Sequence, residues 1–275
     1  MVDKLQIHTL LKHLQKYPES YVIIGGIATS LILEERGFPF RETKDFDIVL
    51  LADANNPDFN KDLCALLKEG KYKNAISNGK KACYRFIEPE TPGYPRIIEL
   101  FSHEEHAYLH NYLQKIQITF NEEDLSTIVL NDEVVDFIKE RKITIDLGVS
   151  VVDALGLIAL KSHAYFRNLK LYNEKQIVGR ENYAKHKNDV IRLLLSLNGD
   201  EDSIRMPNLI KQDCSSFRQV LNDSKSEFKN INKNAKISLE NLVGLYTKIF
   251  NWYRVYKIIF SILLSEINKL TLVIF

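Results

Sequence analysis

Two aspartates, Asp45 and Asp47, are the residues of this chain whose type and spacing best suit chemistry. They lie in the run 44–50, which is otherwise apolar after Lys44, and side chains on a strand alternate between faces, so the two carboxylates share one face. Side by side they repel each other, and a divalent cation removes the repulsion. Oxygen ligands on a rigid strand suit Mg²⁺, which takes the rest of its shell from water and substrate phosphates. The alternative is a charged edge strand that prevents aggregation.

A glycine pair, Gly25-Gly26, closes the apolar run 21–24 and precedes a helix-like segment at 27–36. Glycine lets the backbone approach a phosphate, and the N-terminus of the helix that follows offers free N–H groups. Thr29 or Ser30 could add a hydroxyl to such a site. The simpler interpretation is a turn between a strand and a helix. Followed by a strand that carries two aspartates, the pattern predicts a metal site for phosphoryl or nucleotidyl transfer.

A third carboxylate, Glu99, lies in the strand-like run 96–101. A carboxylate in an apolar strand is costly unless it has a partner. As a third metal ligand, or as a base that deprotonates an acceptor hydroxyl, Glu99 would have a reason to be there. The alternatives are an ion pair with Arg96 and an outward-facing strand residue.

Two charged residues in predicted helices are further candidates. Lys161 ends an apolar helical stretch, so it either extends its ammonium to solvent or binds a triphosphate as a point charge. Asp189 lies in a helix predicted over 181–197. Its alternative role is a helical ion pair with Lys185 or Arg192.

The chain has 275 residues, of which 45% are hydrophobic and 27% are charged, as is usual for a globular protein. Helices and strands alternate before Gly148, whereas helical patterns dominate after it, with Ser150 and Asp153 predicted to cap a helix start. We therefore predict the α+β class, as a mixed α/β arrangement, with domains at 1–147 and 148–275.

Net charge, cysteine content and hydropathy place only broad limits on the function. The net charge of +1 gives no global sign of nucleic-acid binding, so a local patch would have to supply it. The scattered cysteines favour reduced thiols and a cytoplasmic location. Polar and charged residues interrupt the apolar C-terminal segment 249–275, so we expect no membrane span and no membrane partner.

Four of these blocks, in this order, resemble the DNA-polymerase-beta-like nucleotidyltransferase superfamily. They are Gly25-Gly26, the run 43–47 with its two aspartates, Lys161 on a helix after the stretch 148–151, and the block 187–189 that ends at Asp189. Within the superfamily the pattern is most similar to the AbiEii-type nucleotidyltransferase toxins of type IV toxin–antitoxin and abortive-infection systems. The matching blocks cover about residues 20–50 and 140–197, and the chain after 200 carries no matching motif.

The resemblance implies an N-terminal polymerase-beta-like catalytic domain and a C-terminal helical domain that share a nucleotide cleft. It implies that Asp45 and Asp47 bind metal, that Lys161 and Asp189 are catalytic, and that Glu99 is the third carboxylate. The cofactor would be Mg²⁺, with Mn²⁺ as the alternative. By this resemblance the bacterial enzyme moves a nucleoside monophosphate, or a short run of them, from a nucleoside triphosphate to tRNA, another RNA or a protein, and a cognate antitoxin is its partner.

Two other functions are compatible with the same residues. One is nucleotide transfer to a small molecule such as an antibiotic, for which a deep acidic pocket would be expected. The other is a binding module without catalysis on the same fold. A module of that kind has no reason to keep two mutually repelling carboxylates.

Overall fold

The computed structural model of the chain describes residues 3–51, 56–77, 80–101, 131–176, 179–233 and 237–250. Within these ranges it is a mixed α/β protein with one seven-stranded sheet. The strands are β1 (Tyr21–Ile24), β2 (Asp45–Leu50), β3 (Lys73–Ser77), β4 (Lys80–Ile87), β5 (Ile97–Phe101), β6 (Lys142–Thr144) and β7 (Ser150–Val152). The predicted mixed α/β class is confirmed.

Helices precede, separate and follow these strands in the described ranges. They are α1 (Lys4–Leu14), α2 (Gly25–Glu35), α3 (Pro57–Gly70), α4 (Asp132–Glu140), α5 (Ala154–Asn173), α6 (Glu181–Leu195), α7 (Asn208–Asn222), α8 (Lys225–Ile231) and α9 (Leu239–Phe250). Several begin at residues that suit a helix start, as at Asn56 and Asn131, whose side chains accept backbone N–H hydrogen bonds of α3 and α4.

The sheet order is β3-β4-β5-β2-β1-β7-β6, so the strand with the aspartate pair lies at the centre. Strand β2 pairs antiparallel with β1 and parallel with β5, and β1 pairs parallel with β7 on its other side. Central strands are covered on their faces, which explains why β1 is a continuous apolar run rather than an alternating one.

Helix α2 connects the sheet to the helices that follow it. It packs against β1 and β2 and also against α5 and α6. Seven consecutive residues, from Ile27 to Leu33, are buried. A helix that is buried on all sides cannot show an amphipathic pattern, and the run is apolar apart from Thr29 and Ser30. The helix therefore places its first residues, the glycine pair, beside β2.

The predicted boundary between residues 147 and 148 falls inside a β-hairpin of the sheet. Strand β6 pairs antiparallel with β7, and Ile23 of β1 pairs with Val151 of β7. Ser150 is consequently a strand residue whose hydroxyl donates to the carbonyl of Pro18, and it is not a helix cap. Asp153 alone caps α5, by accepting the N–H of Gly156. The β-branched residues of this hairpin were the signal for a strand.

Some sequence-based expectations lie outside the described residues. An example is the part of the apolar C-terminal segment beyond residue 250. Among the helices of the described ranges, none is both long enough and apolar enough to cross a membrane.

Replacing Gly25 with alanine should destabilise the protein by about 2 kcal/mol or more. Gly25 has a φ of +69°, and a Cβ there would lie 1.8 Å from Oδ2 of Asp47. The left-handed backbone alone costs an alanine about 1–2 kcal/mol. Urea unfolding of Gly25→Ala measures the loss.

The matched control for this substitution is Gly244→Ala. Gly244 lies within α9, and a Cβ there would have no neighbouring atom within 4 Å. Alanine should therefore leave stability unchanged or raise it by up to about 1 kcal/mol. Equal effects of the two substitutions would contradict the close approach of Gly25 to Asp47.

Candidate active site

Three carboxylates lie on one face of the central strands. Phe46 and Ile48 of β2 are fully buried on one face, which leaves Asp45 and Asp47 on the other. Asp47 is directly opposite Glu99 in the parallel pairing of β2 with β5. Residues opposite each other on neighbouring strands point to the same face, so Glu99 lies on the same face as the aspartate pair.

The environment of Asp47 disfavours its charged form. Burial of the carboxyl, the negative charges of Glu99 and Asp45, and a hydrogen bond shared with Glu99 raise the pKa of Asp47 well above its ordinary value. The positive charge of Lys161 lowers the pKa, but by less. The positive charge near Asp47 is therefore too small to offset burial and the two neighbouring carboxylates, and a bound cation would relieve this imbalance.

Glu99 has a partner that the sequence did not reveal. Nη1 of Arg85, on β4, lies 2.6 Å from Oε1 of Glu99, and the two residues are opposite each other in the antiparallel pairing of β4 with β5. The sequence-based alternative was a pair with Arg96, its near neighbour along the chain. Only the strand pairing identifies Arg85, because 14 positions separate the two partners.

The described residues contain no group of three or more His, Cys, Asp or Glu side chains that converge on one point as metal ligands. Asp45, Asp47 and Glu99 therefore do not form a convergent group of this kind in the described residues, and Glu99 forms an ion pair with Arg85. Mg²⁺ is commonly bound by one or two carboxylates together with substrate phosphates. Asp45 and Asp47 fit that smaller requirement, and Glu99 remains a predicted third ligand.

The glycine pair lies against the strand that carries the aspartates. A Cβ at Gly26 would be 2.3 Å from Oγ1 of Thr43, just as one at Gly25 would overlap Asp47. The residue before the pair, Ile24, provides no side-chain cap for α2, so no side chain there satisfies the first N–H groups of the helix. An uncapped helix N-terminus beside carboxylates is suited to a phosphate that arrives with a metal ion.

Thr29 and Ser30 differ from the expectation that they contribute hydroxyls. Thr29 is 0% exposed and its hydroxyl donates to the carbonyl of Gly25 at 2.7 Å, while Ser30 is 1% exposed. Both residues lie within the buried length of α2, and neither presents a hydroxyl at the surface. In this arrangement neither hydroxyl is accessible to a phosphate at the start of α2.

Lys161 and Asp189 form a buried ion pair. The Nζ atom of Lys161 donates to Oδ2 of Asp189 at 2.8 Å, and the two side chains are 5% and 0% exposed. Arg41 also binds Asp189, with Nε and Nη2 at 3.3 Å and 3.0 Å from its two oxygens. Nη1 of Arg192 lies 3.8 Å from Oδ1. Asp189 is thus shared by three cations.

This ion-pair cluster sets the ionisation of its members. Burial by itself would raise the pKa of Asp189, but the charge of Lys161 and the hydrogen bonds from Arg41 outweigh it, so the pKa lies below its ordinary value. Burial and the charges of Lys161 and Lys185 lower the pKa of His186 to about 3. His186 is therefore neutral at neutral pH, and the cluster holds its positive charge on lysine and arginine.

Sequence reasoning identified Lys161 and Asp189 but missed Arg41. Arg192 was recognised as a helical neighbour of Asp189, three positions along the same helix. Arg41 lies in the loop before β2, and its contact with α6 depends on the folding of distant segments. No local pattern marks such a contact. Its only signal is its place four residues before Asp45.

Comparison of the chain with protein-family models, with curated proteins and with solved structures gives no match. The assignment of a function therefore depends on the residues and the geometry described above.

Replacing Asp47 with asparagine should stabilise the metal-free protein at pH 7. A raised pKa in the folded state means that Asp47 costs stability above its unfolded pKa of 3.8, and this cost increases as pH rises through the interval up to the folded pKa. Asparagine removes the charge, and its amide can still donate to Glu99. We expect a gain of about 1 kcal/mol in EDTA at pH 7, which disappears near pH 3.

Urea unfolding at both pH values measures this gain, with Asp136→Asn as the control. Asp136 is an exposed residue of α4, so its substitution should change stability by less than about 0.5 kcal/mol. A loss of stability in Asp47→Asn at pH 7 would show that the charged carboxylate already has a favourable partner.

Replacing Asp189 with asparagine should destabilise the protein by about 3–5 kcal/mol at pH 7, because Lys161 would keep its buried charge without its carboxylate. The lowered pKa of Asp189 contributes stability that is fully present above its unfolded pKa of 3.8 and is lost as pH falls through the folded pKa. The difference between wild type and Asp189→Asn should therefore shrink on acidification below pH 3.8.

Unfolding free energies at pH 7 and pH 3 test this expectation. The control is Glu174→Gln, which removes an exposed carboxylate that lies 3.9 Å from the exposed ammonium of Lys170. Such a surface pair contributes less than about 1 kcal/mol. If Asp189→Asn were no more harmful than this control, the buried pair would not support the fold.

Proposed function

We propose that this protein is a Mg²⁺-dependent nucleotidyltransferase that moves a nucleoside monophosphate from a nucleoside triphosphate to an acceptor hydroxyl. The observation that carries the proposal is the row of Asp45, Asp47 and Glu99 on adjacent central strands, with the charge of Asp47 uncompensated. A row of this kind costs stability, as the raised pKa of Asp47 indicates. A cation-dependent reaction gives a reason for keeping it.

In this proposal Asp45 and Asp47 hold the metal ion, and Mn²⁺ is an alternative to Mg²⁺. Glu99 lies next to Asp47 as the third carboxylate, and Arg85 holds it in position. When bound, the metal neutralises triphosphate charge and lowers the pKa of the acceptor hydroxyl. The carboxylates orient that chemistry at the face of β2 and β5 that they share.

The glycine pair and Lys161 support the phosphate-binding part of the proposal. Gly25 and Gly26 begin α2 beside Asp47, where backbone N–H groups can receive phosphate oxygens. An ammonium has three donors, and Asp189 accepts from one of them. Lys161 can therefore stabilise charge that develops on the α-phosphate while Asp189 keeps it in position.

The acceptor and the biological role come from resemblance alone. Similarity of the quoted motifs to the AbiEii-type toxins favours tRNA, another RNA or a protein as acceptor, and a cognate antitoxin as partner. It also favours a bacterial, cytoplasmic enzyme. The division into a catalytic part and a helical part that share a nucleotide cleft belongs to the same proposal.

The test is transfer of label from each of the four α-³²P-labelled ribonucleoside triphosphates in the presence of Mg²⁺ or Mn²⁺. Total RNA, a protein extract and an aminoglycoside serve as separate acceptors, and sensitivity of the product to ribonuclease or protease identifies what was labelled. We expect labelling by wild type that falls at least about 10³-fold in the double variant Asp45→Asn/Asp47→Asn, because loss of metal binding removes about 4 kcal/mol or more.

Asp136→Asn is the matched control and should retain full activity, since its carboxylate lies on the exposed face of α4. A second readout is independent of the acceptor. Mg²⁺ should raise the melting temperature of wild type and leave that of the double variant unchanged. Full activity of the double variant, or an equal response of both proteins to Mg²⁺, would refute the assignment of the metal site. A Mg²⁺ response without transfer to any acceptor would favour a binding module.

A further inference from the structure

A cavity of about 710 Å³ lies between the loop that precedes β2, the helix α6 and the helix α8. Its volume is within the range of small-molecule sites. The rings of Phe38 and Phe40 and the cations of Arg41, Arg192 and Lys233 contribute to its lining. The combination of aromatic rings with several cations is typical of sites that bind nucleotides.

The cavity carries a surplus of positive charge. Glu227 is an acidic residue of the lining. Hydrogen bonds from Lys187 and, with a smaller effect, from Ser226 lower the pKa of Glu227 to about 2. The negative charge of Glu227 is offset by Lys187, whose Nζ atom lies 2.6 Å from Oε1 of Glu227. The other acid in contact with the lining, Asp189, is shared between Lys161 and the two arginines. One carboxylate does not neutralise three cations, so the lining attracts anions.

The guanidinium of Arg41 lies over the ring of Phe40, with its central carbon 5.0 Å from the ring centroid. The two bonds from Arg41 to Asp189 hold this guanidinium in place. A guanidinium can stack on aromatic rings, so Arg41 and Phe40 together offer a positively charged, π-rich surface against which a nucleobase can pack.

Asn188 adds a polar group without a partner. Its side chain contributes to the cavity lining, and its Oδ1 atom is buried and makes no hydrogen bond within the described part of the chain. A buried acceptor without a partner is costly. Because this oxygen is buried behind the cavity surface, a ligand donor such as an exocyclic amine of a base would satisfy it only after the side chain turned toward the cavity.

We propose that this cavity binds a nucleoside phosphate, with the base on the surface formed by Arg41 and Phe40 and the phosphate at Arg192 and Lys233. The site goes beyond the proposed function, because it requires neither a metal ion nor the carboxylates of β2 and β5. The nucleoside phosphate is either a free mononucleotide or a nucleotide within a single-stranded nucleic acid, and the chemistry of recognition is the same.

The experiment is isothermal titration calorimetry of the 275-residue chain in EDTA with each of the four ribonucleoside 5′-monophosphates and with the four nucleosides. We expect at least one monophosphate to bind and its nucleoside to bind at least about tenfold more weakly. Lys233→Gln and Arg192→Gln should each weaken that binding about tenfold, which corresponds to about 1.4 kcal/mol. Lys233 is exposed, so its substitution tests the site even if Arg192→Gln impairs folding.

The matched control is Lys229→Gln, an exposed lysine on the same helix α8 that does not belong to the cavity lining, and its binding should equal that of wild type. Asp45→Asn/Asp47→Asn should also bind as wild type does, which separates this site from the proposed metal site. A 5′-phosphorylated RNA tetranucleotide identifies the source. If the tetranucleotide binds more tightly than every mononucleotide and Lys233→Gln weakens both equally, the natural ligand is a nucleic acid. If the tetranucleotide binds more weakly, the natural ligand is a free nucleotide.

Three results would overturn the proposal. The first is that no mononucleotide binds and the tetranucleotide does not bind either. The second is that nucleoside and monophosphate bind with equal affinity. The third is that Lys233→Gln and Lys229→Gln reduce the affinity equally. Because the titrations contain no metal, none of these results bears on nucleotidyl transfer at Asp45 and Asp47.

Discussion

The buried carboxylate of Asp189 joins parts of the chain that are far apart in sequence. It lies on α6 and binds Lys161 of α5 and Arg41 of the loop that leads into β2. Without a carboxylate at this point, the ammonium of Lys161 would be buried with no counter-charge, and the loop would lose its anchor. The direction in which the chain enters β2 therefore depends on the ion pair between Arg41 of this loop and Asp189 of α6.

Two kinds of charge arrangement lie close together in this protein. Around Asp189, cations outnumber the carboxylate, and its pKa is lowered. Around Asp47, carboxylates outnumber cations, and its pKa is raised. Lys161 acts on both, because it binds Asp189 and its charge reaches Asp47. Groups whose surroundings shift their pKa values in opposite directions are a common property of functional sites, which supports the proposed chemistry.

Local patterns predicted most of what the structure contains near the site. The two-residue period of β2 placed Asp45 and Asp47 on one face, and the apolar run around Glu99 indicated a strand. Contacts between distant segments could not be predicted, and they include the partner of Glu99 and the position of Arg41. The short strand β7 was missed as well, because Ser150 and Asp153 match a helix-capping pattern. Strand pairing, which is not local, decides the partner of Glu99 and the strand β7, whereas the position of Arg41 depends on the contact of its loop with α6.

The pairing of β1 with β7 has a consequence for synthesis on the ribosome. Tyr21–Ile24 leaves the ribosome well before its parallel neighbour, which includes Val151 and lies more than 100 residues further along the chain. Until then one edge of β1 has no partner, and an apolar strand with an open edge invites association with other chains. The sheet can therefore be completed during translation only once the β6–β7 hairpin has been made. A chain that terminates before this hairpin would be prone to aggregate.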